Sequence, residues 1–467
     1  MAPNKQRKGL ALSPIVHSRA AWFKLAGICI VAGLAIATFG QAPAPKQPSA
    51  QVQLGLRLFR DSRFSSPQGD LQNSCASCHL LDEDPQGMRA HTDFFSRSWV
   101  PWRGADPRRE GLRNAPTILD SSLMPRLHFD GEFGSLEELV KGTLTGRPMG
   151  WLPGEEDQAL NRVQGIILKD TTDASGHGLN YRADFKSAYG VDPAELSRDE
   201  VIDRAAKAIA EYIRTQNSAR TTPYDRFVKA NRLSAEPGPG EDPKGFANRL
   251  LGDVAALEKK RALKLPSGFG VNALAGLKVF FRSNGTGAAG NCVACHAPPL
   301  FTDFSFHNMG ISQGEYDRVN GEGRFAMLEI PGASTASRPA PQFREIPSKK
   351  KPEFADLGHW NFVDLKRSPM RRSDENDDQL LTRMIAAFKT PSLRNLDFTQ
   401  PYMHTGGFTT LESAVGELMR LSDLARAGKV RSGDDELGRI KITEAHIPSL
   451  VAFLKTLNED FKAGGRY

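Results

Sequence analysis

The sequence predicts a mainly α-helical protein with two domains, preceded by a signal or membrane-spanning segment. Three observations indicate this organisation. One short cysteine- and histidine-containing box occurs twice, far apart in the 467 residues; apolar residues recur at helical spacing while strand patterns are sparse; and an apolar run follows a basic N-terminus. Hydrophobic residues make up 39% of the chain and charged residues 25%, which is typical of a globular protein.

The two boxes are Cys75-Ala-Ser-Cys78-His79 and Cys292-Val-Ala-Cys295-His296. Each has the pattern C-x-x-C-H, in which two sulfurs form thioethers to a c-type haem and the histidine ligates its iron. A zinc site and a redox disulfide are the alternatives, but zinc ribbons place their pairs about 15–20 residues apart, and a redox motif needs no adjacent histidine. We therefore predict two cytochrome-c-like domains, each with one covalent haem, and His79 and His296 as proximal ligands.

Residues 1–40 are predicted to be a cleaved signal peptide or a retained inner-membrane anchor. Basic residues precede an apolar run from about Leu25 to Phe39, and residues 41–50 form a Pro/Ala-rich linker. Cys29 lies in the apolar run, so the cysteines leave no pair for a structural disulfide. Because haem is attached covalently on the outer side of the bacterial inner membrane, we expect a periplasmic protein.

The charge balance limits the partners. The net charge of +7 is spread over the chain and includes the basic leader, so it gives no reason to expect nucleic-acid binding. A surface for an acidic redox partner stays open. The sequence does not fix the oligomeric state, and a homodimer is one alternative.

Residues 51–233 are assigned to the N-terminal haem domain, 234–270 to a linker and 271–467 to the C-terminal haem domain. Helical patterns cover 52–59, 135–140, 201–213, 273–281, 411–426 and 443–458. Residues 321–378 are rich in Pro, Lys, Arg, Ser and Asp, so we predict a surface excursion with little regular structure that wraps the other domain or forms a contact surface.

Three further stretches carry a family resemblance. They are Arg113-Asn-Ala-Pro-Thr-Ile-Leu119 with Phe129-Asp-Gly131, Ala208-Ile-Ala-Glu-Tyr-Ile-Arg214 with Pro223-Tyr-Asp-Arg-Phe227, and Lys389-Thr-Pro-Ser-Leu-Arg-Asn395 with Pro401-Tyr-Met-His404. In their order and spacing with the two boxes, they resemble the bacterial dihaem cytochrome c peroxidases and their MauG-type relatives. The resemblance spans roughly residues 50–460.

The resemblance implies a division of labour between the haems. The N-terminal haem would meet hydrogen peroxide, and the C-terminal haem would receive electrons from a small cytochrome c or copper protein. A calcium ion commonly lies between them, and Asn114, Thr399 and Pro401 match the family positions that supply its oxygens. Turn formation before Pro116 is the alternative role for Asn114.

At the first haem, the resemblance points to His91 as a reversible distal ligand, with a solvent-exposed loop histidine as the alternative. The family's distal glutamate is missing, because Pro148 stands at its place. Glu155 and Glu156 follow closely and would substitute if their loop folds inward, where a carboxylate gains a raised pKa. The alternative for this pair is a solvated face or a helix start.

Between the haems, the family has tryptophan where this chain has Phe129. Phenylalanine is far harder to oxidise than tryptophan, so electron hopping through this position is not expected. The preceding His128 is predicted to be a haem-propionate partner, a relay or a packed histidine.

At the second haem, the family's sixth ligand is methionine or tyrosine, and the aligned residue is Leu418, which cannot ligate iron. Met419 is its neighbour and is the candidate ligand, with packing in the core as the alternative. Arg394 and His404 are predicted to bind propionates or to order the domain interface.

Three functions follow. The first is a peroxidase that reduces hydrogen peroxide to water, the second a MauG-like enzyme that oxidises residues of a partner protein, and the third a non-catalytic electron-transfer cytochrome. The absent tryptophan and glutamate favour the third, whereas both boxes and the Thr-Pro-Ser-Leu-Arg-Asn run favour an enzyme. We predict the peroxidase.

Overall fold

A computed structural model describes residues 48–79, 98–106, 108–170, 180–283 and 287–459. Its helices are α1 Ala50–Arg60, α2 Cys75–Cys78, α3 Leu136–Leu144, α4 Glu156–Lys169, α5 Tyr181–Tyr189, α6 Arg198–Arg214, α7 Pro223–Asn231, α8 Pro243–Lys259, α9 Val271–Phe281, α10 Ile311–Asn320, α11 Asp377–Arg383, α12 Leu411–Arg426 and α13 Ile447–Lys455. Two short antiparallel strands, β1 Phe306–His307 and β2 Phe388–Lys389, pair Phe306 with Lys389. The mainly α-helical prediction is confirmed.

The predicted signal or anchor segment 1–40, Cys29 and His91 lie outside the described residues. Among the residues that are described, no helix combines the length and apolarity needed to cross a bilayer.

The first box follows α1, which crosses α6. Ser49 caps α1 by accepting a hydrogen bond from the Val52 N–H at 3.3 Å, and its apolar residues are buried against α6. The crossing is close at Gly55, where a Cβ would lie 1.9 Å from the Ala208 carbonyl oxygen. Only glycine therefore allows these two backbones to approach as they do.

The second box repeats this arrangement with different residues. It follows α9, which has 11 residues like α1 and crosses α13. A Cβ at Gly276 would lie 1.8 Å from the Ser449 carbonyl oxygen. The box flanks share little sequence, yet in both halves a glycine-containing helix precedes the box and crosses a later helix.

Apolar side chains gather in separate clusters. One contains residues of α1, α3 and α6, and a second contains residues of α9, α12 and α13. The helices α7 and α8 pack in the second cluster, although the predicted division assigned them to the first domain and the linker. The two-domain division stays a prediction, but these cores separate before Pro223, earlier in the chain than position 234.

The segment 321–378 has a hydrophobic core of its own. Phe325, Phe343 and Trp360 are buried there together with residues of α11. Regular structure is confined to short 3₁₀ turns before α11 begins, as predicted. The segment also contacts the first half of the chain, because Arg344 pairs with Glu132 at 2.9 Å. The segment therefore has a packed core and is more than a surface excursion.

Candidate dihaem site

The first box forms the short helix α2. Ser74 precedes this helix and its N–H donates to the Ser77 hydroxyl at 3.0 Å, while the His79 N–H donates to the Cys75 carbonyl at 2.9 Å. This turn holds the two cysteines and the histidine within five consecutive residues, and His79 lines the cavity described below. Burial, followed by the charge of His128, lowers the pKa of His79 to about 4, so the ring is neutral, as an iron ligand must be.

The second box forms a 3₁₀ turn, Cys292–Ala294, with the His296 N–H donating to the Cys292 carbonyl at 2.8 Å. Nδ1 of His296 lies 2.8 Å from the Phe301 carbonyl oxygen. A proton on Nδ1 would occupy that hydrogen bond, which leaves Nε2 to ligate a metal. Burial lowers the pKa of this histidine as well.

One continuous cavity reaches both boxes. His79 lines it at one end, and Cys292, Cys295 and His296 line it at the other. Most of the remaining lining is aliphatic or aromatic, which suits a porphyrin. The four box cysteines are free thiols, and Nδ1 of His79 is buried without a hydrogen-bond partner among the described residues. These residues fit two covalent haems, with His79 and His296 as the iron ligands.

A buried ion-pair network adjoins two cavity-lining positions, because its members Arg113 and Asp130 are the chain neighbours of Asn114 and Phe129. Arg113 pairs with Asp130 at 2.6 Å and with Asp356 at 2.6 Å, and all three side chains are buried. Burial alone would raise the pKa of Asp130, but the charge of Arg113 outweighs it and lowers that pKa. The network joins the Arg113 stretch to the Phe129-Asp-Gly131 stretch and to the segment 321–378.

Arg394 was predicted to bind a propionate or to order the interface, and its contacts favour the second role. Its guanidinium donates to both carboxylate oxygens of Asp225, at 2.7 and 2.9 Å, and to the Pro299 carbonyl at 2.6 Å. The side chain is 2% exposed and does not line the cavity. Arg394 therefore connects two of the motif stretches and has little capacity left for a propionate.

His404 does line the cavity and lies in an aromatic stack. Its ring is parallel to Phe388 with centroids 3.5 Å apart, and Phe129 meets it edge-on at 6.5 Å. Nε2 of His404 lies 3.2 Å from the Ser312 hydroxyl, and its carbonyl accepts the Asn114 N–H at 2.8 Å. These contacts order the interface, and the propionate role stays a prediction.

His128 lines the cavity and contacts a carboxylate that the sequence analysis did not single out. Nδ1 of His128 lies 3.2 Å from Oε2 of Glu132, and the same oxygen accepts from Arg344 at 2.9 Å. His128 is 37% exposed on its side chain, so it is not a fully packed histidine. The spacing H-x-x-x-E would have been the sequence signal for this pair.

The expectation of a raised pKa at Glu155 is wrong. Arg103 donates to both of its carboxylate oxygens, at 2.8 and 2.6 Å, and this pairing lowers the pKa of Glu155. Glu156 begins α4 and accepts the Gly154 N–H at 3.1 Å. Neither carboxylate lines the cavity, so both serve the start of α4 and neither replaces the missing glutamate.

The proposed ligand role of Met419 also disagrees with the structure. Leu418 lines the cavity and Met419 does not. Successive helix residues point about 100° apart, so one of these neighbours faces the cavity and the other turns away. Met419 packs against the second hydrophobic cluster.

The three residues predicted to bind calcium lie together at the cavity wall. Nδ2 of Asn114 donates to the Pro401 carbonyl at 2.6 Å, and Asn114, Thr399 and Pro401 all line the cavity. Oδ1 of Asn114 is buried without a hydrogen-bond partner among the described residues. A 180° rotation of the amide would aim this oxygen alongside the Pro401 carbonyl, so the oxygen set fits a hard cation.

Two cavity residues had no settled role from the sequence: Lys389, which stands in one of the motif stretches, and His307, a further candidate residue at the second haem. Lys389 is buried and donates to the Arg126 carbonyl at 2.9 Å, and burial lowers its pKa to about 8. Its signal was a lone lysine at the end of the apolar run from Ile385. Nε2 of His307 lies 2.8 Å from Oδ2 of Asp303, and its Nδ1 lies 2.7 Å from Oδ2 of Asp434. Burial alone would lower the pKa of His307, but these two carboxylates raise it to about 12.

Comparison with known proteins gives a consistent result. A family model described as di-haem cytochrome c peroxidase matches residues 49–232. Cytochrome-c peroxidase IdrP2 of Denitromonas iodatirespirans is 27% identical over 93% of this chain and 90% of its own length. The methylamine utilization protein MauG of Methylophilus methylotrophus is 25% identical over 89% of this chain and 85% of its own.

The fold is similar to the folds of solved diheme proteins. The crystal structure of the diheme peroxidase BthA from Burkholderia thailandensis superposes with a TM-score of 0.52 at 21% identity, covering 89% of this chain and 87% of that chain. A MauG-like protein associated with microbial copper homeostasis superposes with a TM-score of 0.50 at 21% identity, over 89% of this chain and 91% of that one. Together with the two boxes on one cavity, these matches show that the chain is similar to the dihaem cytochrome c peroxidases and to MauG, a similarity that implies two haem c groups.

Proposed function

We propose that this protein is a haem peroxidase that reduces hydrogen peroxide to two molecules of water, taking two protons from solvent and two electrons from a small redox protein. The observation that supports this most is the single cavity shared by His79 and His296. Haems held by His79 and His296 in one cavity would be close enough for electrons that enter at one to be used at the other.

The haems supply the redox chemistry, and the chain supplies protons, orientation and an apolar environment. Peroxide cleavage needs a proton carrier, and the family position for it is occupied by Pro148. Among the described cavity residues of the first half, His128 is the titratable side chain besides the proximal ligand His79. We assign His128 the proton-carrier role.

Glu132 orients His128 for this role. A proton on Nδ1 of His128 would be shared with Oε2 of Glu132 at 3.2 Å, which fixes the tautomer and leaves Nε2 to exchange protons with the cavity. Arg344 holds the same carboxylate oxygen at 2.9 Å and keeps it in place. Both His128 and Arg344 are partly exposed, so the pair is connected to solvent, the source of the protons.

Calcium belongs to the same proposal. Asn114 would supply its side-chain oxygen, and Thr399 and Pro401 their carbonyl oxygens, at the wall between the two ends of the cavity. A cation there would stiffen the link between the Asn114 stretch and the Pro401 stretch, which the hydrogen bond from Asn114 to the His404 carbonyl also joins.

The remaining assignments rest on the sequence. The basic leader, the apolar run and the covalent haems support a periplasmic location, with the leader retained as an anchor or cleaved. A small cytochrome c or copper protein is the proposed electron donor, and a homodimer is one arrangement of the protein.

The test is a stopped-flow record of the Soret band after peroxide is mixed with the purified dihaem protein, followed by peroxide consumption with reduced cytochrome c as the donor. We expect His128→Gln and Glu132→Gln to slow the peroxide-dependent step, with His128→Gln slower by about 100-fold, the lower range for loss of a general acid–base group. Glu195→Gln is the matched control, because Glu195 is exposed and lies outside the cavity.

The outcomes of this experiment distinguish the three candidate functions. An unchanged Soret band in the wild type would exclude a peroxidase and leave an electron-transfer cytochrome. A peroxide reaction that cannot draw electrons from reduced cytochrome c or another small donor would favour MauG-like oxidation of a partner protein. Wild-type rates in His128→Gln would remove the proton-carrier assignment alone.

A further inference from the structure

The wall that α12 presents to the cavity is aliphatic. The residues that line the cavity from this helix are Leu411, Ala414, Val415 and Leu418. These positions follow the pattern i, i+3, i+4, i+7, which places them on one face of the helix. None of these side chains carries an atom that can ligate iron, and Met419, which could, lies off this face.

Polar side chains elsewhere around the second half of the cavity are already held by other groups. They are His307 with Asp303 and Asp434 at 2.8 and 2.7 Å, Lys389 with the Arg126 carbonyl at 2.9 Å, Tyr402 with the Leu396 carbonyl at 3.0 Å, His404 with Ser312 at 3.2 Å, and Glu436 with Lys244 at 2.7 Å. Ligation by any of them would break a hydrogen bond or ion pair that is at least partly buried, which carries a free-energy cost.

Two thioethers complete the set of possible ligands among the described residues. Met309 and Met403 line the cavity and pack against the second hydrophobic cluster. Met403 itself has a φ of 67°, and Gly310, the residue after Met309, has a φ of 79°. Their place in the packed cluster makes them part of the apolar wall.

We propose that the second haem has no protein ligand opposite His296, and that the aliphatic face of α12 forms a pocket there for a small uncharged diatomic molecule such as carbon monoxide, nitric oxide or dioxygen. The aliphatic wall of α12 offers neither a hydrogen bond nor a counter-charge, which suits a neutral diatomic ligand. The proposal rests on the two haems and not on the peroxide reaction.

The experiment counts carbon monoxide bound per chain to the fully reduced dihaem protein by Soret titration. We expect Leu418→Met to bind one carbon monoxide fewer than the wild type, because its thioether would take the open position. The ferric variant would also gain the far-red charge-transfer band of methionine-ligated haem, which the wild type would lack. Leu418→His offers a second donor, with a low-spin bis-histidine spectrum expected at the second haem.

Met419→Leu is the matched control. It removes the neighbouring thioether one position along α12, and it should change neither the carbon monoxide count nor the far-red region. A wild type that shows the methionine band, and loses it in Met419→Leu, Met309→Leu or Met403→Leu, would overturn the proposal. So would Leu418→Met and Leu418→His variants that both bind as much carbon monoxide as the wild type, since α12 would then not face the iron. Peroxide reactivity at the first haem does not enter these counts.

Discussion

The ion pair between Asp225 and Arg394 provides the sharpest stability prediction. The two side chains are 20% and 2% exposed, and the guanidinium meets both carboxylate oxygens. Asp225→Asn keeps the size and shape of the side chain and removes its charge. Breaking a buried ion pair from one side leaves an uncompensated charge and costs about 3–5 kcal/mol. We expect the lower end, about 3 kcal/mol, because Asp225 keeps some contact with water.

The pH dependence of this effect has a definite sign. Burial alone would raise the pKa of Asp225, but Arg394 outweighs it, so the folded-state pKa lies below the usual value of 3.8. A carboxyl with a depressed pKa stabilises the fold above its unfolded pKa and loses that contribution as the pH falls through the folded value. The difference between wild type and Asp225→Asn should therefore stay constant from pH 8 to pH 5.

Urea unfolding of the haem-loaded protein, followed by far-ultraviolet circular dichroism, measures the loss. A loss of about 3 kcal/mol corresponds to roughly a 100-fold larger unfolding constant. Asp157→Asn is the matched control, since it makes the same change at an exposed pair with Arg198, and little change is expected. Equal stabilities for Asp225→Asn and wild type at pH 7, or a difference that disappears between pH 8 and pH 5, would refute the reasoning.

Two other predictions concern the helix crossing and the cation site. Gly276→Ala should destabilise the protein by at least about 1–3 kcal/mol, because its Cβ would meet the Ser449 carbonyl. Gly252→Ala on α8 has open space at its Cβ and should stabilise the protein by up to about 1 kcal/mol. Equal melting temperatures for the two variants would contradict the close helix crossing. Calcium at 100 times its Kd should stabilise the wild type by about 2.7 kcal/mol and should not stabilise Asn114→Ala; the same calcium-dependent rise in melting temperature in both proteins would place the cation elsewhere.

Helices with a strong apolar periodicity could be predicted from the sequence. The patterns at 52–59, 201–213, 273–281 and 411–426 all coincide with helices, since burial of one face fixes where such a helix lies. The core of segment 321–378 was not predicted, because Phe325 and Trp360 are spaced without a helical or strand period. Aperiodic apolar residues become a core only when turns bring them together.

The repeat of the glycine-containing helix crossing in both halves of the chain could not be predicted from the sequence either. Gly55 and Gly276 stand in helices of unlike sequence, and each is needed because a particular carbonyl, of Ala208 or Ser449, approaches it. A glycine in a helical pattern usually lowers confidence in the helix. Its reason lies in a residue more than a hundred positions away.

The sequence by itself predicted two haem c groups and their proximal ligands, because Cys75, Cys78 and His79, like their counterparts in the second box, lie within one turn of backbone. Tertiary structure decided which side chains line the cavity and which lie away from it. It paired Glu155 with Arg103, and it turned Leu418 toward the cavity in place of Met419. A motif of adjacent residues can be recognised from the sequence alone. Which side chain a distant helix turns toward a cavity depends on the rotation of that helix, and successive residues differ by about 100° about the helix axis.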